Sequence, residues 1–342
     1  MIDLSKPVSI NWELNNICNL MCPQCTRNTV KDGVLQWTEK SLNNRDTSLE
    51  DFKTAFNNID RVSHVAFYGT VSEKVLSKDF FEINEFIINN ETSVTTSTNG
   101  SIRPAKWWRE LGKLYNSSKS SKLRKMVFCL DGLREELSLY RINASYDKII
   151  ENARAFIDAG GNAEWRMTVF KHNQHQIEEA EELARKYGFK HFCLQYSRRN
   201  DIEETFTYKD KSYELLPQDI WKEWEQIKKE RNAYTEVGNI NCRAQINNYT
   251  LVDFTSRVWP CCWLQNADWI VGDQKFYDDY FYDKSNNLLE KSLEEIMNNP
   301  FWDILQMSWD EKSSCLKACS STCSFNENKI AAGFRVNVFD YE

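Results

Sequence analysis

Nowhere in the 342 residues does an apolar run approach the ~20 residues that a membrane-spanning helix requires. With 27% charged residues and a mean hydropathy of −0.62, the sequence describes a soluble globular protein with no membrane partner. The opening "MIDLSKPVSINWEL" lacks the basic-then-apolar layout of a signal peptide. A cytoplasmic location is therefore expected, where thiols stay reduced. Positive charge is not in excess: 43 Lys and Arg stand against 50 Asp and Glu, so charge gives no support to a nucleic-acid partner. The cluster Lys119, Lys122, Arg124 and Lys125 reads as a solvated loop. Histidine is scarce, and none of His64, His172, His175 and His191 has metal-ligand spacing; "KHNQH" reads as a loop entering a helix cap. Internal repeats and low-complexity tracts are absent.

From residue 7 to about 198 the chain alternates strand-like and helix-like segments. Strands are expected at "VSINWEL", "HVAFYG", "SVTTSTNG", "KMVFCLDG", "AEWRMTVF" and "HFCLQYS". Helices are expected at "SLEDFKTAFNNI" with Ser48 as N-cap, "KDFFEINEFIINN", "PAKWWRELGKLYN", "SYDKIIENARAFIDAGG" and "NQHQIEEAEELARKYG". Repeated βα units imply a parallel sheet, and six of them an open or partial TIM-like (β/α)6 barrel. Chemistry in such folds gathers where the strands end. Three regions are expected: residues 1–200 as the barrel, 201–240 as a charged, partly helical linker, and 241–342 as a small α+β domain. The last carries six of the eleven cysteines and five of the twelve tryptophans.

Eleven cysteines is an odd number, which suits metal or catalysis better than a disulfide framework. In "CNLMCPQC", Cys18, Cys22 and Cys25 follow the first strand with gaps of three and two. Structural zinc wants four ligands, usually as two close pairs. A 4Fe–4S cluster is normally held by four thiolates, so three would leave one iron open to a molecule that is not protein.

A Cys-x3-Cys-x2-Cys loop after the first strand of a βα repeat resembles the radical S-adenosylmethionine (radical SAM) superfamily, over residues 7–198. The resemblance implies a 4Fe–4S cluster on Cys18, Cys22 and Cys25 whose open iron binds S-adenosylmethionine. Reductive cleavage to a 5′-deoxyadenosyl radical and abstraction of a substrate hydrogen would follow, fed by a low-potential electron donor of flavodoxin or ferredoxin type. It also implies cofactor contacts. In "FYGTVSEKV", Gly69 and Thr70 fall where the family has a Gly-Gly-Glu turn, with Glu73 displaced from the acidic position. Ser97, Thr98 and Asn99 of "STNG" match a ribose-side Thr-Asn-Gly; the plain alternative is a strand-ending turn. Asp131 of "LDG" lies on the active edge. Arg166, alternating with Trp165 and Met167, would point inward to the cofactor carboxylate.

The second cysteine group resembles the twitch extension of that superfamily, a shortened SPASM domain with one auxiliary 4Fe–4S cluster. Cys242, Cys261, Cys319 and Cys323 are the first-choice ligands, with Cys315 competing and Cys262 adjacent. "TLVDFTSRVWPCCW" reads as the β-hairpin that brings Cys242 and Cys261 together, and "SLEEIMNNPFWDIL" as the following helix. Four protein ligands would leave no iron open, so that cluster would accept electrons or brace the fold. A zinc knuckle satisfies four thiolates equally well. Cys129 and Cys193 read as core. Most tryptophans belong to the core, with Trp107–Trp108 and Trp263 as candidates to border a substrate cavity. The expected activity is oxidation or epimerisation of a small, carbohydrate-like molecule, because the first strand begins too near residue 1 for a separate leader-binding domain. The alternatives are a maturase acting on a ribosomally made peptide and, from another class, a zinc-stabilised binding protein.

Overall fold

The structure, a computed structural model, describes residues 2–117, 122–196, 204–219, 240–267, 286–310, 315–323 and 335–340. The chain opens with β1 (Val8–Trp12), which buries Val8, Ile10 and Trp12 on one side and turns Ser9 and Asn11 to the other. A hairpin, β2 (Asn28–Lys31) and β3 (Val34–Trp37), follows the cysteine loop. Then α1 (Leu49–Asn57) starts where the sequence predicts, with the Ser48 hydroxyl accepting the Asp51 N–H. The βα alternation continues through β4 (Val62–Phe67), α2 (Phe80–Asn89), β5 (Ser93–Thr98) and α3 (Ala105–Asn116). It goes on through β6 (Arg124–Cys129), the short α4 (Leu137–Tyr140), α5 (Tyr146–Asp158), β7 (Ala163–Val169), α6 (Ile177–Lys186) and β8 (His191–Tyr196).

Strands β1, β4, β5, β6, β7 and β8 lie side by side in that order, all parallel, which is the expected partial barrel. Alternation sorts their side chains. Ile10, Trp12, Val65, Phe67, Val94, Met126, Phe128, Trp165 and Met167 join Phe52, Phe80 and Phe156 of the helices in one core. Trp107 and Trp108 belong to this helical wall rather than to a cavity. Trp108 is fully buried against Phe128 at 5.2 Å, its Nε1–H donating to the Ile102 carbonyl. The opposite face is polar, carrying the His64–Thr95 hydrogen bond, Lys125, Glu164 and Arg166. Cys193 is buried, as expected, and Cys129 is half-buried; both lie on this face, near Arg166. Arg124 and Lys125 also depart from expectation. They are residues of β6, Arg124 is buried, and Lys125 pairs with Glu164 at 2.6 Å.

The segment expected as a helical linker holds another hairpin, β9 (Glu204–Tyr208) and β10 (Lys211–Leu215). It joins the first hairpin in a four-stranded sheet, ordered β10-β9-β3-β2, over a small core of Met21, Leu35, Ile142 and Phe206. The helical run expected from "QDIWKEWEQIKKERNAY" lies outside the described residues, apart from its first two residues.

After α7 (Arg243–Ile246), the expected hairpin forms as β11 (Tyr249–Val252) and β12 (Val258–Trp259). β11 adds to the large sheet parallel to β1. Then come α8 (Cys262–Ala267), α9 (Leu293–Met297), α10 (Phe301–Met307) and α11 (Lys317–Cys323). The helix expected over "SLEEIMNNPFWDIL" is split, because Pro300 cannot continue α9 and instead precedes the first residue of α10. Finally β13 (Arg335–Asp340) runs antiparallel to β8, so the C-terminal segment supplies both edges of a nine-stranded sheet. No helix among the described residues is long and apolar enough to cross a membrane.

Candidate metal centres

The first centre is built where β1 ends. Glu13, fully buried, accepts the Thr70 N–H, the Thr70 hydroxyl and the Ser72 hydroxyl, tying the β1 end to the turn after β4. Asn15 Nδ2 donates to the Glu73 carbonyl, and the Glu73 N–H to the Ile17 carbonyl at 2.7 Å. These bonds fix the take-off of the cysteine loop. Within it, the Cys25 N–H and Asn28 Nδ2 donate to the Cys22 carbonyl, and the Met21 N–H reaches the Ile142 carbonyl at 3.1 Å. The buried Arg27 donates to the carbonyls of Val71 and Ser41 and lies over the Trp37 ring.

The loop so held gathers its three thiols. Burial pushes the Cys18 thiol up to about 11, reinforced by Glu73 and Cys25 and opposed by the Leu20 N–H and Arg27. Burial raises Cys22 further, against the pull of Arg141, with Cys18 and Cys25 adding to the rise. Cys18 and Cys22 thus each feel the charge of a neighbouring thiol. Bare, these two keep their protons; a cation that takes thiolates must release them. Among the described residues no three His, Cys, Asp or Glu side chains sit closely enough to grip a single ion.

The other residues singled out by sequence divide sharply. Gly69 has φ +65, and a Cβ there would run into the Lys74 ammonium, which donates to the carbonyls of Tyr68 and Ser72. Thr70 is spent on Glu13; its carbonyl accepts the Thr26 hydroxyl, and the Gln265 amide lies 3.3 Å from its own hydroxyl. Glu73 is buried beside the end of β5, accepting the Thr98 hydroxyl and the Asn99 N–H, both at 2.7 Å. Asn99 Nδ2 donates to Asn19 and lies 3.9 Å from Cys18 Sγ. The Ser97 hydroxyl is buried and has no partner among the described residues.

Asp131 is committed elsewhere: it accepts the Thr168 N–H at 2.6 Å and pairs with Arg141 at 2.7 Å. Arg166 does face inward, but both its Nε and its terminal nitrogen are held by Glu164, which also takes Lys125. That pairing raises Arg166 and lowers Glu164, each against burial.

The second centre is a small cavity lined by Cys242, Cys261, Cys319 and Cys323 with Trp263, Leu264, Leu305 and Trp309. Four thiols, from the start of α7, the end of the hairpin and both ends of α11, thus face one space. Burial lifts Cys261 well above the ordinary thiol range and Cys319 to about 12, with the other cysteines adding to the rise. Cys315 acts on Cys319 through its charge but does not line the cavity; its Sγ lies 3.8 Å from the Leu316 carbonyl.

No protein-family model matches the chain. Mycofactocin maturase MftC of Mycolicibacterium smegmatis is 25% identical over 190 residues, 54% of this chain and 43% of that protein. The chain therefore spans less than half the length of this curated relative. SuiB of Streptococcus suis has a TM-score of 0.57 at 13% identity, over 89% of this chain and 68% of SuiB. AdoMet-bound anSMEcpe has a TM-score of 0.57 at 15% identity, over 96% of this chain and 90% of that one. The structural likenesses show the fold, and together with the maturase match they agree with the resemblance to the radical SAM superfamily that the three-thiol loop at the end of β1 carries. SuiB has also been solved with the precursor peptide SuiA, and anSMEcpe with AdoMet and the Kp18Cys peptide.

Four residues around the first centre escaped sequence reasoning: Glu13, Arg27, Glu73 as a link between loops, and Arg141. Glu13 carried one signal, a carboxylate at the end of an otherwise apolar-alternating strand. The other three act through partners 10 to 44 residues away, and nothing local marks them.

Proposed function

We propose that this chain is a radical SAM enzyme of the twitch/SPASM type that modifies a peptide. The observation that carries the reading is the three-thiol loop at the C-terminal end of β1, on a fold shared with neighbours solved with peptides bound. The same neighbours favour a peptide substrate over the small carbohydrate-like one expected from sequence. Cys18, Cys22 and Cys25 would hold one 4Fe–4S cluster, and Cys242, Cys261, Cys319 and Cys323 an auxiliary one. The residues fit. Each set presents buried thiols to one another, the second around a cavity, and Ser97 offers a buried hydroxyl for a ligand inside the barrel. Bound to S-adenosylmethionine, the first cluster would supply the electron for its reductive cleavage and hence hydrogen abstraction from the peptide.

The chain's own groups do the rest. Arg27 and Arg141 place positive charge beside the thiolates of Cys18 and Cys22, offsetting the cost of ionising them under burial. Glu73 holds the end of β5, and with it Asn99, against Cys18. Glu13 fixes the turn that carries Gly69 and Thr70. Electrons would come from a low-potential donor of flavodoxin or ferredoxin type.

The test is isotope transfer. Reconstituted, reduced protein is given S-adenosylmethionine with a peptide deuterated at its side-chain and Cα carbons, or with a deuterated monosaccharide. The peptide reading expects deuterium in 5′-deoxyadenosine from the peptide alone. Transfer from the sugar and none from any peptide would overturn it in favour of the small-molecule reading.

A further inference from the structure

Among the residues lining the cavity of the four cysteines, one buried indole N–H makes no hydrogen bond of ordinary geometry. Trp309, just past the end of α10, is 8% exposed and lines the cavity together with Cys242, Cys261, Cys319 and Cys323. Its Nε1–H is buried and has no hydrogen-bond partner of ordinary geometry among the described residues. Four other buried indoles donate, Trp108 to the Ile102 carbonyl, Trp165 to the Leu130 carbonyl, Trp259 to Asp253 and Trp302 to the Ile296 carbonyl; Trp12, packed in the barrel core away from this cavity, shares the lack of a partner. A buried donor left unmade costs about 1–3 kcal/mol, so such groups in native proteins answer to something. Cys319 Sγ is the sulfur nearest to hand for that N–H, on the same cavity wall. The backbone secures the ring, since the Trp309 N–H donates to the Gln306 carbonyl at 3.1 Å and closes the end of α10.

We propose that the Trp309 indole N–H donates a hydrogen bond to the sulfur of the cluster held by Cys242, Cys261, Cys319 and Cys323, and so sets how readily that cluster takes an electron. The inference rests on the auxiliary-cluster reading above and adds to it a residue that the cysteine pattern cannot reveal. The direction follows from charge. A cluster that gains an electron puts more negative charge on its sulfurs, so an N–H aimed at one of them stabilises the reduced form more than the oxidised. The mostly apolar lining, with Ile240, Pro260, Leu264, Leu305 and Ala318 beside the thiols and the two indoles, weakens solvent screening of that bond. Trp309 is thus a positioning residue for charge; it does not touch substrate. Trp263 lines the same cavity but is 39% exposed, so its indole has solvent available and cannot play this part.

The experiment uses full-length protein carrying Cys18→Ala, Cys22→Ala and Cys25→Ala, so that only the second cluster remains. After anaerobic reconstitution, iron and sulfide are counted and the reduction midpoint is measured, with and without Trp309→Phe. The expected result is equal iron in both proteins and about tenfold weaker reduction in the phenylalanine variant, a fall of about 59 mV for a one-electron couple. Equal iron with an unmoved midpoint would overturn the proposal. Absence of iron from both proteins would instead overturn the auxiliary-cluster reading beneath it. Loss of iron from the Trp309→Phe protein alone shifts the decision to unsubstituted Trp309 labelled with 15N in the indole. Hyperfine coupling of that nitrogen to the reduced cluster then supports the bond, and its absence refutes it.

Discussion

Replacing Asp131 by alanine should cost the fold about 3–5 kcal/mol, the usual toll for removing one partner of a buried ion pair. The figure follows from the site. The Asp131 carboxylate is fully buried, and its two oxygens are assigned separately, one to the Thr168 N–H and one to Arg141 Nε. The Arg141 side chain is only 16% exposed, so its charge cannot simply rehydrate when the carboxylate goes. A domain is typically stable by about 5–15 kcal/mol, which makes this a large fraction. Asp131→Asn keeps an acceptor for Thr168 while losing the charge and should cost less, about 1.5–3 kcal/mol. The damage should also reach the metal centre. Arg141 leads directly into Ile142, whose carbonyl takes the Met21 N–H inside the cysteine loop. Urea unfolding of the metal-free protein measures the stability, and iron content after reconstitution measures the loop. Alanine at 131 costing less than 1 kcal/mol would refute the claim that this pair anchors the active edge.

Further outcomes are expected from the same geometry. Burial lowers His172 to about 4 against the pull of Asp131 and Glu136, so the unfolded chain takes up a proton between pH 6.5 and 4 that the folded one refuses. Stability should therefore fall as pH drops through that window, by at most about 3 kcal/mol, and stay level above it. Unfolding midpoints from pH 4 to 8 test this, and His172→Gln should flatten the acid limb; an unchanged limb would refute it. Gly69→Ala forces a left-handed backbone on a side chain and drives its Cβ against Lys74, so a loss of about 1–3 kcal/mol is expected. A midpoint within about 0.5 kcal/mol of the parent would contradict that.

The barrel was legible because its signals are local and repeat. The strands alternate, most helices carry a cap or a glycine stop, and Ser48, Pro104 and Gly188 stand where the spacing puts them. The triplet of cysteines announced itself by proximity in sequence. The two hairpins at 28–37 and 204–215 did not, because each is a short ribbon stabilised by the other across about 170 residues, through Leu35 and Phe206. The sequence likewise placed Asp131 and Arg166 on the active edge but could not tell that neighbours occupy them. Glu164 sits two residues from Arg166 on the same strand face, a pairing visible in retrospect from the period of two. Arg141 reaches Asp131 from the loop beyond α4, which no periodicity encodes.

The most direct measurement is 5′-deoxyadenosine released by anaerobically reconstituted, reduced protein given S-adenosylmethionine alone. The intact chain should hold two clusters and release 5′-deoxyadenosine slowly without any substrate. The protein carrying Cys18→Ala, Cys22→Ala and Cys25→Ala should keep about half the iron, in the second centre, and release none. Release by that triple variant at the rate of the intact chain, or full iron retained in it, would contradict the assignment of these three thiols as the reactive centre.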